Sequence, residues 1–241
     1  MRLDVYLFEN SYVGSRTEAK NFILGGAVTV NGKVVKKPSY EILADEEIAV
    51  DKSGKKYVSR GGLKLEAALD SFGIDVSGAL ALDVGASSGG FTDCLLQRGA
   101  ERVIAVDSGS GQLVEALRND ERVTVIENFN ARYMSVSDFE YRPNLAVMDV
   151  SFISAKHIIP SVYAVLEENG RFVCLIKPQF EVGRGGLNKK GIVKNAELRA
   201  RAVDEVLDFA ACVGFKVRGI IESPITGGDG NIEYLAYFDK N

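Results

Sequence analysis

Residues 80–93 read LALDVGASSGGFTD: an apolar strand that ends on Asp83 and runs into a turn containing Gly85, Gly89 and Gly90. Glycine at a strand end permits positive φ and lets a ligand approach backbone with no Cβ in the way. Strand and helix patterns alternate from here onward. Helices are expected near 63–72, 90–98, 111–118, 155–168 and 196–213, and strands at 79–84, 102–107, 123–126, 144–149 and 171–176. Two further strands, near 215–222 and 232–238, have no helix between them and so can form an antiparallel pair. Alternation of this kind predicts an α/β fold with a doubly wound, mostly parallel sheet, whose ligands bind at the carboxyl ends of the strands.

The turn is D-x-G-x-x-x-G-G, without the second glycine of the dinucleotide fingerprint. A carboxylate at Asp83 suits a cationic group better than a pyrophosphate. The next strand, VIAVDSG, ends on Asp107, where an acid can accept both hydroxyls of a ribose. A ligand with a ribose, a cationic amino-acid part and no phosphate is S-adenosylmethionine, with a nicotinamide nucleotide as the competitor. The expected cofactor-binding residues are Asp83, Gly85, Ser87, Gly89, Gly90, Phe91 and Asp107. The combination resembles the class I, Rossmann-like methyltransferases.

Other strand ends carry chemistry too. MDVSF places Asp149, LIKPQFE places Lys177 and GNIEYL places Glu233, while SRGGLKLEAAL sets Lys64 in the first helix of this region. The two lysines and two acids resemble the Lys-Asp-Lys-Glu set of the FtsJ-type ribose 2′-O-methyltransferases. That resemblance assigns catalysis to Lys64, Asp149, Lys177 and Glu233, with Lys177 as the base. A lysine can accept the proton of a ribose hydroxyl only as its neutral amine. Each could instead be structural: the acids as loop caps or ion-pair partners, Lys64 as an ordinary helix-surface lysine.

The N-terminal part differs. Residues 1–60 carry ten Lys or Arg against eight Asp or Glu, whereas the whole 241-residue chain has a net charge of −4. Two short helices near 2–9 and 15–24, a hairpin AVTVNGKVV turning on Asn31-Gly32, and a strand EEIAV are expected. Ser15 followed by Glu18 predicts a capping box. The pattern RLDVYL, SRTEAKNFILGGAVTVNGKVVKKPS resembles the S4 RNA-binding module, a small α+β domain. The resemblance implies phosphate contacts from Arg2, Arg16, Lys20, Lys33, Lys36 and Lys37. A degenerate S4 fold kept for protein contacts is the alternative. Polar, glycine-containing DKSGKKYVSRGG marks a hinge, so the expected division is an S4-like domain at 1–52, a linker at 53–62 carrying Arg60, and a methyltransferase domain at 63–241. A loop at 178–194 sets Arg184, Lys189, Lys190 and Lys194 among glycines and is expected to be mobile and to contact RNA.

The whole chain resembles the TlyA, or hemolysin A, family, an S4 module joined to an FtsJ-like methyltransferase. SRTEA, VNGK, SRGGLKLEAAL, DVGASSGGFTDCLLQRGA, MDVSFIS, IKPQFE and SPITGGDGNIEYL carry the match. The family implies methylation of a cytidine ribose in ribosomal RNA, with ribosomal RNA or ribosomal subunits as partner. Two alternatives stay open: an RNA-binding protein whose methyltransferase fold is inactive, and the membrane lysis that the hemolysin name suggests. Against the second, no apolar run reaches the length of a membrane span and no export signal is visible, so a cytoplasmic location is expected. Three widely spaced cysteines (Cys94, Cys174, Cys212) suggest neither disulfides nor a metal site, and the single histidine, His157, makes a histidine-dependent triad improbable.

Overall fold

The computed structural model describes residues 1–43, 45–51 and 56–240, with the backbone alone for Arg184. The chain divides into two compact units, Met1–Lys56 and Tyr57–Asn241.

In the first unit, α1 (Leu3–Glu9) and α2 (Arg16–Leu24) pack beside a three-stranded antiparallel sheet of β1 (Val28–Val30), β2 (Lys33–Val34) and β3 (Ile48–Val50), ordered β2-β1-β3. Asn31 and Gly32 both have positive φ, 49° and 73°, as a two-residue hairpin turn requires. Leu3, Leu7, Ala19, Ile23 and Val28 are fully buried and form its core. Ser15 caps α2 by accepting the Glu18 amide at 3.1 Å. The expected capping box is shifted by one residue, because the Glu18 carboxylate takes the Gly14 amide at 2.8 Å.

The second unit opens with α3 (Gly61–Phe72) and continues β4 (Leu80–Val84), α4 (Gly90–Gln97), β5 (Arg102–Val106), α5 (Glu115–Arg118), β6 (Val123–Ile126), β7 (Leu145–Met148), α6 (Ile159–Val165), β8 (Arg171–Ile176), α7 (Pro178–Glu181), α8 (Ala196–Val213), β9 (Phe215–Glu222) and β10 (Tyr234–Lys240). The sheet order is β6-β5-β4-β7-β8-β10-β9. The first five strands are parallel, and β10 runs antiparallel to both its neighbours. Alternate residues therefore serve two cores. Ala81, Val103, Val147 and Val173 face α3 and α4, whereas Leu82, Ile104, Met148 and Phe172 face α6 and α8. Each large apolar side chain so buried contributes about 1.5–3 kcal/mol.

The expected linker differs from the structure on its later side. From Tyr57 onward the segment is part of the second unit: Tyr57 is buried in its core, its phenol donates to Glu66 at 3.0 Å, and the Val58 amide donates to Asp93 at 2.8 Å. Helix α5 and α6 are also shorter than their sequence patterns. The lead-in to α6 is a separate 3-10 turn over Ala155–His157, capped by Ser154.

Candidate functional site

Two cavities open at the carboxyl edge of the parallel strands. The first, about 370 Å³, lies between the turns after β4, β5 and β7, with Gly85, Ser87, Asp107, Asn130, Asp149 and Phe152 in its wall. Gly85 has φ 86°, and a Cβ there would stand 2.5 Å from the Asp149 carbonyl oxygen, so these two turns can approach only through glycine. The Asp107 carboxylate accepts the Ser87 amide at 2.8 Å and the Gly109 amide at 2.7 Å. It thus ties the first glycine turn to the loop after β5 and keeps further lone pairs for a hydroxyl-bearing ligand.

Asp83 is placed differently from the expectation. Its parity along β4 matches Ala81, which sends the side chain under α4, where it is fully buried. Thr92 Oγ1 donates to its Oδ2 at 2.6 Å, and Oδ1 has no hydrogen-bond partner among the described residues. Burial pushes this carboxyl up to about 7, against the pull of the Thr92 hydroxyl and with an added push from the Asp149 charge. A buried orphan carboxylate oxygen fits a cationic ligand group.

Gly89, Gly90 and Phe91 also serve packing. A Cβ on Gly89 would meet Leu117 at 2.3 Å and one on Gly90 would meet Ser59 Oγ at 2.1 Å, while Phe91 is buried in the core.

The second cavity, about 330 Å³, adjoins the first and shares Ser151 and Phe152 with it; Lys177, Gln179, Phe180, Asp229 and Glu233 also line it. Topology gathers the four expected catalytic residues at this edge, Lys177 and Glu233 in the wall of the second cavity and Asp149 in that of the first. Asp149 directly follows β7 and Lys177 directly follows β8. Because β10 is antiparallel, with Tyr234 opposite Ile176, its beginning lies at the same edge, and Glu233 precedes it by one residue. The four form two ion pairs. Lys177 Nζ is 2.5 Å from Asp149 Oδ1 and donates to Ser151 Oγ at 2.8 Å. Lys64 Nζ, from α3, donates to Glu233 Oε2 at 2.5 Å, and both of these residues are buried. Gln179 reaches the other Glu233 oxygen at 3.4 Å.

Sequence reasoning missed Phe152. It is 92% exposed, has φ 64°, and sits where the two cavities meet, its ring 5.3 Å from that of Phe180. Only its place in MDVSF, three residues after Asp149, could have marked it.

The expected RNA contacts are exposed. Arg2 and Arg16 converge on the buried Asp4, at 2.9 and 3.5 Å, and the Arg2 guanidinium holds that carboxyl below the usual range. Lys20, Lys33, Lys36, Lys37, Arg60, Lys189 and Lys190 are solvent-facing, and the Arg184 side chain lies outside the described residues. The later part of the 178–194 loop is hydrogen-bonded: Asn188 accepts the Lys190 and Ile192 amides, and the buried Asn231 accepts the Val193 amide and donates to the Gly191 carbonyl. No cluster suited to a metal ion occurs among the described residues, and no described helix is long and apolar enough to cross a membrane.

The FtsJ-like methyltransferase family matches residues 57–240 and the S4 domain matches residues 1–48. The chain belongs to the FtsJ-like methyltransferase family. Its cofactor is S-adenosylmethionine, which the cleft around Gly85 and Asp107 and the orphan oxygen of Asp83 fit. The chain is 46% identical to hemolysin A of Brachyspira hyodysenteriae, over 99% of each chain. It is 40% identical to the 16S/23S rRNA (cytidine-2′-O)-methyltransferase TlyA of Mycobacterium tuberculosis, over 98% of this chain and 88% of that one. A solved structure from Streptococcus thermophilus that carries a hemolysin name superposes with a TM-score of 0.81 at 43% identity, covering 100% of this chain and 88% of that one.

Proposed function

We propose that this FtsJ-like protein transfers a methyl group from S-adenosylmethionine to the 2′-hydroxyl of a cytidine ribose in ribosomal RNA. The observation that carries this reading is the meeting of the two cavities at Ser151 and Phe152, with the Lys177 amine beside that junction. The TlyA relative, named for the same transfer, supports it.

When bound, S-adenosylmethionine supplies a methyl already activated by its sulfonium, so the protein's work is to place the hydroxyl and take its proton. Lys177 is the base in its neutral form, in which its remaining N–H bonds still donate to Asp149 and Ser151 while its lone pair takes the hydroxyl proton. Glu233 lines the cavity beside it toward the ribose, and Lys64 holds that carboxylate from α3. Phe152 offers a ring on which a base drawn out of its stack can lie. Gly85, Ser87 and Asp107 hold the cofactor from the backbone side, with Asp83 toward its ammonium group. Arg2, Arg16, Lys20, Lys33, Lys36 and Lys37 of the S4 domain contact phosphate, as do Arg60, Arg184, Lys189 and Lys190 of the larger unit. A cytoplasmic location accords with a ribosomal substrate.

The test is transfer of labelled methyl from S-adenosylmethionine to small and large ribosomal subunits from cells lacking this protein. Label on riboses next to alkali-resistant linkages is expected, and it disappears with Lys177→Ala. Tight RNA binding with no label on either subunit would overturn the proposal in favour of an inactive RNA-binding protein.

A further inference from the structure

The loops after β7 and β8 continue two neighbouring parallel strands, and their contacts follow in the same order along both. Lys177 meets Asp149 and Ser151, the Phe180 ring meets Phe152, and Glu181 meets Ser154 and Ala155. The last of these rungs is bidentate: Ser154 Oγ donates to Glu181 Oε2 at 2.6 Å and the Ala155 amide to Oε1 at 2.8 Å. Neither Glu181 nor Ser154 is needed to wall the two cavities.

Between the first and last rungs the chain must carry Phe152 at φ 64°, a conformation that costs a bulky side chain of order 1–3 kcal/mol and persists only where the surroundings over-determine it. With its ring 92% exposed, Phe152 has little burial of its own to supply that constraint. Tethers on both sides can supply it.

Resting on the methyl-transfer reading, we propose that Glu181 is a positioning residue for the reaction: its carboxylate fixes the Asp149–Ser154 loop in register with Lys177, and so sets both the Lys177–Asp149 pair and the attitude of the Phe152 ring. It acts through these groups and does not touch the reacting atoms. The cofactor cleft shares Asp149–Ile153 with this loop but is also held by the turns after β4 and β5, so Glu181 bears more on turnover than on cofactor affinity.

The experiment compares Glu181→Ala, Glu181→Gln and Ser154→Ala with the intact chain, reading kcat and KM for ribosomal RNA, equilibrium binding of S-adenosylmethionine, melting temperature and amide exchange across residues 151–155. Glu181→Ala is expected to lower kcat by about 10- to 100-fold, the scale of a 1 Å misplacement. Cofactor affinity falls by clearly less than kcat does, and exchange at Ala155 accelerates. Glu181→Gln is expected to keep kcat within about threefold, because its amide oxygen still accepts from Ala155 and its amide group can donate to Ser154. Adding Ser154→Ala to Glu181→Ala lowers kcat little further, although it also removes the cap on the Lys156 amide and so costs some stability of its own.

Unchanged kcat in Glu181→Ala overturns the proposal, as does a loss shared equally by kcat, cofactor affinity and melting temperature that glutamine fails to rescue. If the intact chain itself transfers no methyl to ribosomal RNA, the methyl-transfer reading falls. Amide exchange then decides about the tether: acceleration in Glu181→Ala upholds it, and unchanged exchange overturns it.

Discussion

The two adjoining cavities are built by different means. Around Gly85, Ser87 and Asp107 the wall is made of backbone turns, pinned by one carboxylate that accepts two amides. Around Lys177 and Glu233 it is made of side chains, held by two lysine–carboxylate pairs and an aromatic contact. A backbone wall recognises a ligand by shape and fixed dipoles, and it fails when a turn cannot close. A side-chain wall carries protons and charge, and it fails one group at a time.

The contrast is broken most directly by a pair of variants. Lys177→Ala is expected to lower kcat by about 10³-fold, in the range of losing a general base, and to leave the dissociation constant for S-adenosylmethionine within about threefold. Asp107→Ala is expected to do the reverse, weakening the cofactor by at least about tenfold while saturating cofactor restores much of kcat. Equal effects of both variants on both quantities, in a methyl-transfer assay paired with calorimetry, would mean that the cavities are one functional unit.

Next comes the buried pair. Lys64→Ala leaves Glu233 without its partner at a site 3% exposed, a loss of about 3–5 kcal/mol on the scale of broken buried pairs. Denaturant unfolding measures it, and Lys64→Met with Glu233→Gln is expected to recover most of the stability without recovering turnover. A smaller effect is expected from Gly85→Ala. Its φ of 86° and the Asp149 carbonyl 2.5 Å from the new methyl force the two turns apart, which weakens cofactor binding by about tenfold while the fold persists.

The smallest effect concerns pH. With its carboxyl raised from 3.8 to about 7, Asp83 holds its proton in the folded chain across a window where the unfolded chain has lost it. Its contribution to stability is therefore present at low pH and declines as pH rises through that window. A cationic ligand favours the carboxylate, so affinity for S-adenosylmethionine is expected to rise through about pH 7 with release of up to one proton. Calorimetry in buffers of different ionisation heat reads this, and Asp83→Asn is expected to abolish it.

Much of the backbone-built cavity was legible in the sequence, because strand-end acids and glycine turns are local signals: Gly85, Ser87 and Asp107 line the cleft as expected. At Gly89 and Gly90 the same signal has a second source. Glycine answers equally to a ligand and to a neighbouring side chain, and here Leu117 and Ser59 are the neighbours. Tyr57–Gly62 misled for a related reason, since a polar, glycine-rich stretch reads as a hinge whether or not a tyrosine ring is seated against it; a Cβ on Gly62 would stand 2.3 Å from that ring. Lys177, Asp149, Lys64 and Glu233 were visible as residue types, but their pairing was not. Pairing depends on which strands become neighbours, and Glu233 reaches Lys64 across 169 residues. Phe152 and Glu181 stayed hidden because nothing local separates an exposed phenylalanine from a core one, or a loop-bracing glutamate from a solvated one.

Strand β10 gives the larger unit an order of assembly. A ribosome emits the five parallel strands and the whole cofactor cleft before it reaches Glu233, so a chain still in synthesis has its cofactor site encoded while Lys64 waits for a counter-charge. Only when β10 slots between β8 and β9 does that charge arrive, and the last strand of this sheet to be translated is the one that completes the site.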